Sequence, residues 1–332
     1  MVQLVEQVLR LGRRGVRVRP FCIKAQVKPG GFSRALQRAL SDFGAEESFG
    51  RAAVRLKEHY GIDVSINAIR RITYQHARQI QGQEPLPPDQ PAKTLITQID
   101  GSMIPLVNPG QTGDRRKGKT TSWNEVRVCC ARVDQQVRRL YGATLGTLET
   151  VSLLWQQTAQ RCGLDSHTLV HGLGDGAPWI VEKFNDNFGS QGRYLIDFYH
   201  VSEYLAAAAP KVVGAKKALG WLKKQKSRLA QGHAQKILRT LQAHREPPGS
   251  IETPVQDALR YIGQRLKHLH YPEALQANLP IGSGEIESAH RHVVQHRLKL
   301  AGAWWKPTNA QAMLDLRVAR ANDCWNAYWS PN

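Results

Sequence analysis

Two short apolar runs in this chain each end on an acid followed by glycine, and a third acid follows a Gly-Ser-Gly step far downstream. The first run is Thr94-Leu95-Ile96-Thr97-Gln98-Ile99-Asp100-Gly101, and the second closes with His171-Gly172-Leu173-Gly174-Asp175-Gly176-Ala177. The third acid is Glu287, in Gly282-Ser283-Gly284-Glu285-Ile286-Glu287-Ser288. Short apolar runs closed by glycine read as buried strands, and a glycine step before an acidic segment reads as the entry to a helix. Acids so far apart in sequence converge only through a fold that brings two strand ends and one helix start together. An Asp-Gly pair alone is ordinary turn chemistry. The set of three gains meaning because converging carboxylates in a strongly basic chain suit hard divalent cations acting on phosphate.

The charge points the same way. The chain has 332 residues with 46 Lys and Arg against 27 Asp and Glu, a formal charge of +19. Such a field attracts polyanions and works against compactness, so nucleic acid is the expected partner; the plainer alternative is a merely soluble basic protein. Five cysteines, with no Cys-x-x-Cys pair, speak against a disulfide framework and a compact zinc knuckle. Buried free thiols in a reducing cytoplasm are the simplest account, which places the protein in the cytoplasm with the nucleoid. No apolar run approaches the roughly 20 residues that span a bilayer, and no signal peptide is apparent, so no membrane is expected.

Residues 1–80 read as a helical DNA-binding region. Ser48 caps a segment ending at Gly61, with Phe49, Ala52, Ala53, Leu56 and Tyr60 on one face. Ser65 caps a second, with Ile66, Ile69, Ile72 and His76 inward and Arg70, Arg71, Tyr74, Gln75 and Arg78 outward. The pair fits a helix-turn-helix at about 48–80, whose second helix enters a major groove; a plain helical hairpin with a solvated face is the bland alternative. Residues 81–92, with Pro85, Pro87, Pro88 and Pro91, read as an extended linker. Residues 93–209 read as three meandering strands, a helix, and strand–helix alternation, the element order of an RNase H-like α/β domain. The tip between its first strands carries Arg115, Arg116, Lys117 and Lys119. Residues 210–280 read as a basic helical insertion, with Lys223, Lys224 and Lys226 among its cations, either solvated or against DNA backbone. Residues 281–332 supply a final helix through Glu287 and Arg297 and a tail.

At this point the motifs resemble a known group. Gly174-Asp175-Gly176-Ala177-Pro178-Trp179-Ile180, Asp197-Phe198-Tyr199-His200, Ile281-Gly282-Ser283-Gly284-Glu285-Ile286-Glu287 and Arg297 through Trp305 resemble the DDE transposases of ISKra-type bacterial insertion sequences, in the Mutator-like superfamily. The resemblance extends from about Phe49 to the last helix. It implies an RNase H-like catalytic domain interrupted by helices, two Mg²⁺ or Mn²⁺ ions held by Asp100, Asp175 and Glu287, and cleavage and joining of DNA at element ends by a dimer or larger assembly. It also implies that His200, in the Asp-x-x-His signature, positions DNA or the scissile phosphate; Asp197 reads equally as a helix cap. Glu285 is the rival of Glu287 and points about 200° away on a helix; the family pattern selects Glu287. The amino terminus is a short basic lead, where members of the group often carry a longer cysteine-bearing region, which fits a shortened frame.

Other readings stay open. An inactive transposase-derived DNA-binding protein uses the same charge and helices, and an RNase H-like nuclease without strand transfer shares the metal site. For an enzyme, the three carboxylates should gather within a few ångströms. His292 and His296 stand i, i+4 but no further zinc ligand declares itself. Gly282-Ser283-Gly284 should let the backbone bend into the helix of Glu287, and Trp304 and Trp305 read as closing a core, with stacking on a base as the alternative.

Overall fold

The computed structural model describes residues 6–10, 12, 15, 17–24, 27, 31–110 and 118–330. Arg115, Arg116 and Lys117 lie outside the described residues. The chain divides into two compact units, one comprising Met1–Pro85, Met103–Asn124 and Arg291–Asn332, the other Leu86–Ser102 and Glu125–His290. The first passage between them falls inside the proline-rich stretch.

In the first unit Leu9–Arg10 (β1) pairs antiparallel with Arg17–Val18 (β2), followed by the short helix Pro20–Lys24 (α1). Three helices then share a core: Arg34–Glu46 (α2), Phe49–Tyr60 (α3) and Ile66–Gln79 (α4). Ser33, Ser48 and Ser65 each accept a hydrogen bond from a backbone N–H in the first turn, so each helix start is satisfied by its own cap. Gly61 ends α3 in the left-handed region at φ 62°, which suits glycine. Leu40, Ala52, Leu56, Val64, Ile69 and Ile72 form the buried cluster. Two expected inward residues are not inside: Ile66 is 53% and Tyr60 59% exposed. Each is a terminal residue of its helix, where the buried stripe has not begun or has already turned away. On the supposed outer face of α4, Arg70, Arg71 and Arg78 are exposed, whereas Tyr74 and Gln75 are half-buried. Tyr74 packs edge-on to Phe49.

The second unit is built on a five-stranded mixed sheet of order β5-β4-β3-β6-β7. Its strands are Thr94–Asn108 (β3), Thr120–Val133 (β4), Leu140–Thr144 (β5), Leu169–Gly174 (β6) and Gly192–Ile196 (β7), the end of β3 and the start of β4 (within Met103–Asn124) being counted to the first unit. Helix Leu148–Arg161 (α5) follows β5, and Pro178–Phe188 (α6) joins β6 to β7. β4 and β5 are antiparallel, β3 and β6 parallel, β6 and β7 parallel. The core gathers Leu95, Ile96, Ile99, Leu173, Leu195 and Ile196 from the strands with Trp155, Ile180 and Phe184 from the helices. The indole N–H of the fully buried Trp155 donates to the Thr97 hydroxyl at 2.5 Å, so burying this large ring leaves no polar atom stranded.

Further helices of the unit are Phe198–Val213 (α7), Ala218–Ala230 (α8), Ala234–Gln242 (α9), Pro254–Gln264 (α10) and Tyr271–Gln276 (α11). The basic stretch 210–280 therefore packs as helices within this unit. Lys223 and Lys224 are exposed on α8, while Lys226 is half-buried, its ammonium 5.6 Å from the ring centroids of Phe198 and Tyr199. A cation over two rings is held by packing and is not simply a solvated charge. Gly284–Ala289 (α12) is shorter than the single final helix expected; the chain continues through a π-helical segment His290–Gln295 into His296–Leu298 (α13), then Pro307–Ala321 (α14) and Cys324–Trp329 (α15). Cys129, Cys130, Cys162 and Cys324 are buried free thiols, Cys22 a half-buried one. No helix among the described residues is long and apolar enough to cross a membrane.

Candidate active site

Strand register sets the positions of the acids. Gln98 lies opposite Leu173, and Gly174 lies opposite Ile196. Asp100 and Asp175 each follow the Gln98–Leu173 pair by two residues, and Asp175 and Asp197 each follow the Gly174–Ile196 pair by one. Asp175 and Asp197 thus stand level just past the carboxyl edge formed by β6 and β7, and Asp100 stands level with them inside the longer strand β3, just beyond its last pair with β6, with neighbouring backbones roughly 5 Å apart. In open α/β sheets ligands bind at this edge.

The fourth acid reaches the same edge through a latch. Asp197 is 4% exposed and caps α7, its Oδ1 accepting the N–H groups of Tyr199 at 2.6 Å and His200 at 3.0 Å. Its Oδ2 accepts the N–H of Ser283 at 2.6 Å and also the Ser283 hydroxyl. Beside it, Phe198 N–H donates to the Ile281 carbonyl, and His171 to the Pro280 carbonyl at 2.8 Å. Gln98 on β3 accepts the N–H of Ile286 at 2.9 Å. The segment entering α12 is therefore tied to three strands before Glu287 is reached. Gly282 acts by close packing, since a Cβ there would meet the Tyr199 ring at 2.7 Å, whereas one on Gly284 would meet nothing within 4 Å. No positive φ is needed in this step, so the expected sharp bend is replaced by a close approach.

Asp100, Asp175, Asp197, His200 and Glu287 line one cleft of about 170 Å³ with Tyr199, Glu203 and Ser283. Asp100 accepts the Gly101 N–H at 2.7 Å, and His290 Nε2 stands 3.3 Å from its other oxygen. Asp175 accepts the Ala177 N–H at 2.9 Å. Glu287 is exposed, and its carboxylate has no hydrogen bond or ion pair among the described residues. Glu285 is occupied: Arg132 donates to it at 2.7 Å and Arg139 lies 3.1 Å away. The two glutamates thus differ in role, one bound into the fold and one turned to the cleft.

The expectation that three carboxylates gather within a few ångströms is not met at that closeness. Among the described residues no three His, Cys, Asp or Glu side chains form a ready ligand group. Asp100 and Asp175 are each drawn onto a neighbouring backbone N–H instead. The donor set nonetheless fits Mg²⁺ or Mn²⁺ in kind, being all carboxylate oxygen, and such ions keep several waters of their own.

The loop of Asp175 is held from behind by the basic helices. Tyr261 on α10 donates to the Asp175 carbonyl at 2.5 Å, and Arg265 donates to the Gly176 carbonyl at 3.1 Å. Gly176 adopts φ +74°, where a Cβ would lie 2.3 Å from Ile196. His200 stands edge-on to Tyr204 and Tyr261, which stack on each other at 4.2 Å, and its Nδ1 is 3.4 Å from Glu203. Residues that the sequence left without a role here are Ser283, Tyr261, Arg265 and His290. His290 is 4% exposed with neither ring nitrogen hydrogen-bonded. Only its place just after Glu287 hinted at the site. His292 and His296 are exposed with rings 5.6 Å apart, and among the described residues no group of three possible metal ligands includes them.

No protein-family model matches the chain, and no curated protein sequence does. Among solved structures it is similar to the Drosophila P element transposase strand transfer complex, at 8% identity and a TM-score of 0.36, over 92% of this chain and 82% of that one. It is similar more faintly to NurA with manganese, at 14% identity and a TM-score of 0.14, over 80% of this chain and 65% of that one. Likeness this weak decides nothing about chemistry.

Proposed function

We propose that this protein is a metal-dependent DNA transposase with an RNase H-like catalytic unit, of the ISKra-type, Mutator-like DDE group its motifs resemble. The observation behind this is that Asp100 from β3, Asp175 from the end of β6 and Glu287 from α12 line one cleft. These three would hold two Mg²⁺ or Mn²⁺ ions, which supply an activated oxygen nucleophile and relief of charge on the leaving oxygen. The chain's own contribution is placement. Asp197 and Ser283 fix the start of α12, so Glu287 faces the cleft while Glu285 binds Arg132 and Arg139. Tyr261 and Arg265 fix the loop of Asp175. His200, on the wall of the cleft, orients the DNA strand. Mobility of the element requires two ends held together, so the working form is a homodimer or larger on DNA.

Binding is assigned by side-chain type. The helix pair α3–α4 acts as the helix-turn-helix, with Arg70, Arg71 and Arg78 toward DNA and Tyr74 and Gln75 at the edge of that face. Lys223 and Lys224 on α8 contact phosphates without reading sequence, as do Arg115, Arg116 and Lys117 in this proposal.

The test incubates the full chain with terminal-repeat DNA and Mg²⁺ and maps the cut strand. Asp100→Ala, Asp175→Ala and Glu287→Gln should each abolish cleavage while DNA binding persists. Full cleavage by Asp175→Ala sinks the site. A pre-cut end should yield joined strand-transfer products; cleavage without joining marks a nuclease, and binding alone an inactive DNA-binding protein.

A further inference from the structure

The first unit holds a cavity of about 560 Å³ of its own. Phe49, Arg70 and Tyr74 form one side, Arg297, Trp304 and Lys306 the other, all within that unit. Its volume lies in the range of small-molecule sites.

Arg297 is the informative residue. It is 3% exposed, yet among the described residues no carboxylate pairs with it. Its guanidinium carbon stands 4.7 Å from the ring centroids of both Phe49 and Trp305. Its Nε donates to the Gly44 carbonyl at 3.0 Å, while its two Nη groups have no partner among the described residues. Burial lowers its pKa to about 10. Glu46, the nearest counter-charge, is itself paired with Arg317 and Arg320; a buried guanidinium with no carboxylate in contact is costly, and its paired Nη donors match a phosphate. Arg70 and Lys306 at the rim are exposed and cationic.

The Trp pair divides in the same place. Trp305 is 5% exposed, its indole N–H donating to the Leu298 carbonyl at 3.0 Å, so it closes the core. Trp304 is 46% exposed and lines the cavity, edge-on to Trp123, which is 59% exposed. An exposed indole beside an unpaired buried cation offers a base platform next to a phosphate seat.

We propose that this cavity takes one unpaired nucleotide of a DNA strand, its phosphate on the Nη groups of Arg297 and its base stacked on Trp304. This rests on the reading that the first unit binds DNA and deepens it, because a paired duplex cannot present a base edgewise into a cavity.

The test uses the full chain and a fluorescent single-stranded oligonucleotide carrying 2-aminopurine, beside the fully paired duplex of the same sequence. Trp304→Ala should weaken single-strand binding by about 5-fold or more, the loss expected for one stacked base. It should also relieve 2-aminopurine quenching and leave duplex affinity within about two-fold. Lys306→Ala, also at an exposed position, should weaken single-strand binding, and added inorganic phosphate should compete less well against it. Arg297→Lys should lose most of the single-strand preference; where that variant fails to fold, the two exposed variants decide. Unchanged single-strand affinity and quenching in Trp304→Ala overturn the proposal. Equal losses on single strand and duplex also overturn it, in favour of an ordinary duplex-binding face. Free dAMP binding as tightly as the oligonucleotide overturns the DNA strand as occupant. Glu287→Gln should bind both DNAs as wild type does, so failure of cleavage and failure of this cavity are read separately.

Discussion

Replacing Asp197 by Asn tests the latch with almost no change of shape. All four groups facing the carboxylate are donors: Tyr199 N–H, His200 N–H, Ser283 N–H and Ser283 Oγ–H. An amide must turn its NH₂ toward two of them, whichever way it flips. The side chain is 4% exposed, so little solvent reaches it to relieve the conflict. One charge-assisted bond is lost and one N–H is left without an acceptor, for a total on the order of 2–4 kcal/mol. Local opening at the start of α12 should therefore become about 30- to 1,000-fold more frequent. Hydrogen exchange by mass spectrometry on peptides containing Ser283 and Ile286 reads this directly. Ser283→Ala removes only the hydroxyl bond and should cost about 1 kcal/mol. Unchanged protection in Asp197→Asn would refute the latch, and so would a Ser283→Ala effect as large as that of Asp197→Asn.

Glu285→Gln should lower stability by roughly 1–3 kcal/mol, since it breaks a partly buried pairing with two arginines, while Glu287→Gln should stay within about 0.5 kcal/mol by thermal melting. His76 is buried between Tyr328 Oη and Gln37 Oε1, and burial pushes its pKa down to about 4. Unfolding then takes up a proton between about pH 6.5 and pH 4, so stability is full above 6.5 and falls as pH drops toward 4, by on the order of 3 kcal/mol; urea titrations at several pH values should show that slope, and His76→Gln should flatten it. Gly176→Ala puts a side chain at φ +74° and 2.3 Å from Ile196, so it should cost about 1–3 kcal/mol in the same melting assay. Gly284→Ala meets open space and should be neutral or slightly stabilising.

The two sheet acids were legible because each closes a short apolar run before glycine, although only Asp175 follows a strand end while β3 runs on past Asp100 to Asn108; the level of Asp100 with Asp175 follows from parallel register. Helix starts were legible from Ser48 and Ser65. What the sequence could not show was pairing across long separations. Asp197 reads as a local cap, but its second oxygen serves Ser283, a bond that exists only once α7 and α12 start side by side. Arg297 reads as one more cation in a basic tail until it is found between Phe49 and Trp305. Lys226 likewise passes for a solvated charge until Phe198 and Tyr199 are placed beneath it. The π-helical segment after Ala289 gives no signal in a pattern read at 3.6 residues per turn.

The supports of the cleft are unequal, and the inequality has a chemical sense. Asp175 stands on a loop gripped by Tyr261 and Arg265 of the basic helices, and Asp100 inside a strand, its carboxylate accepting the N–H of Gly101. Glu287 lies on a six-residue helix fixed at its start and followed by a π-helical segment, and its carboxylate is bound to nothing among the described residues. Two acids are thus set by the sheet and the third is set only at its root. A cation entering the cleft would find fixed ligands on one side and an adjustable one on the other. Removing Tyr261 should then loosen Asp175 without touching Glu287, so Tyr261→Phe should reduce metal-dependent cleavage while leaving the exchange of Ser283 and Ile286 unchanged. Loss of protection at Ser283 in that variant would show that the two sides of the cleft are one cooperative piece, and the division of roles drawn here would be wrong.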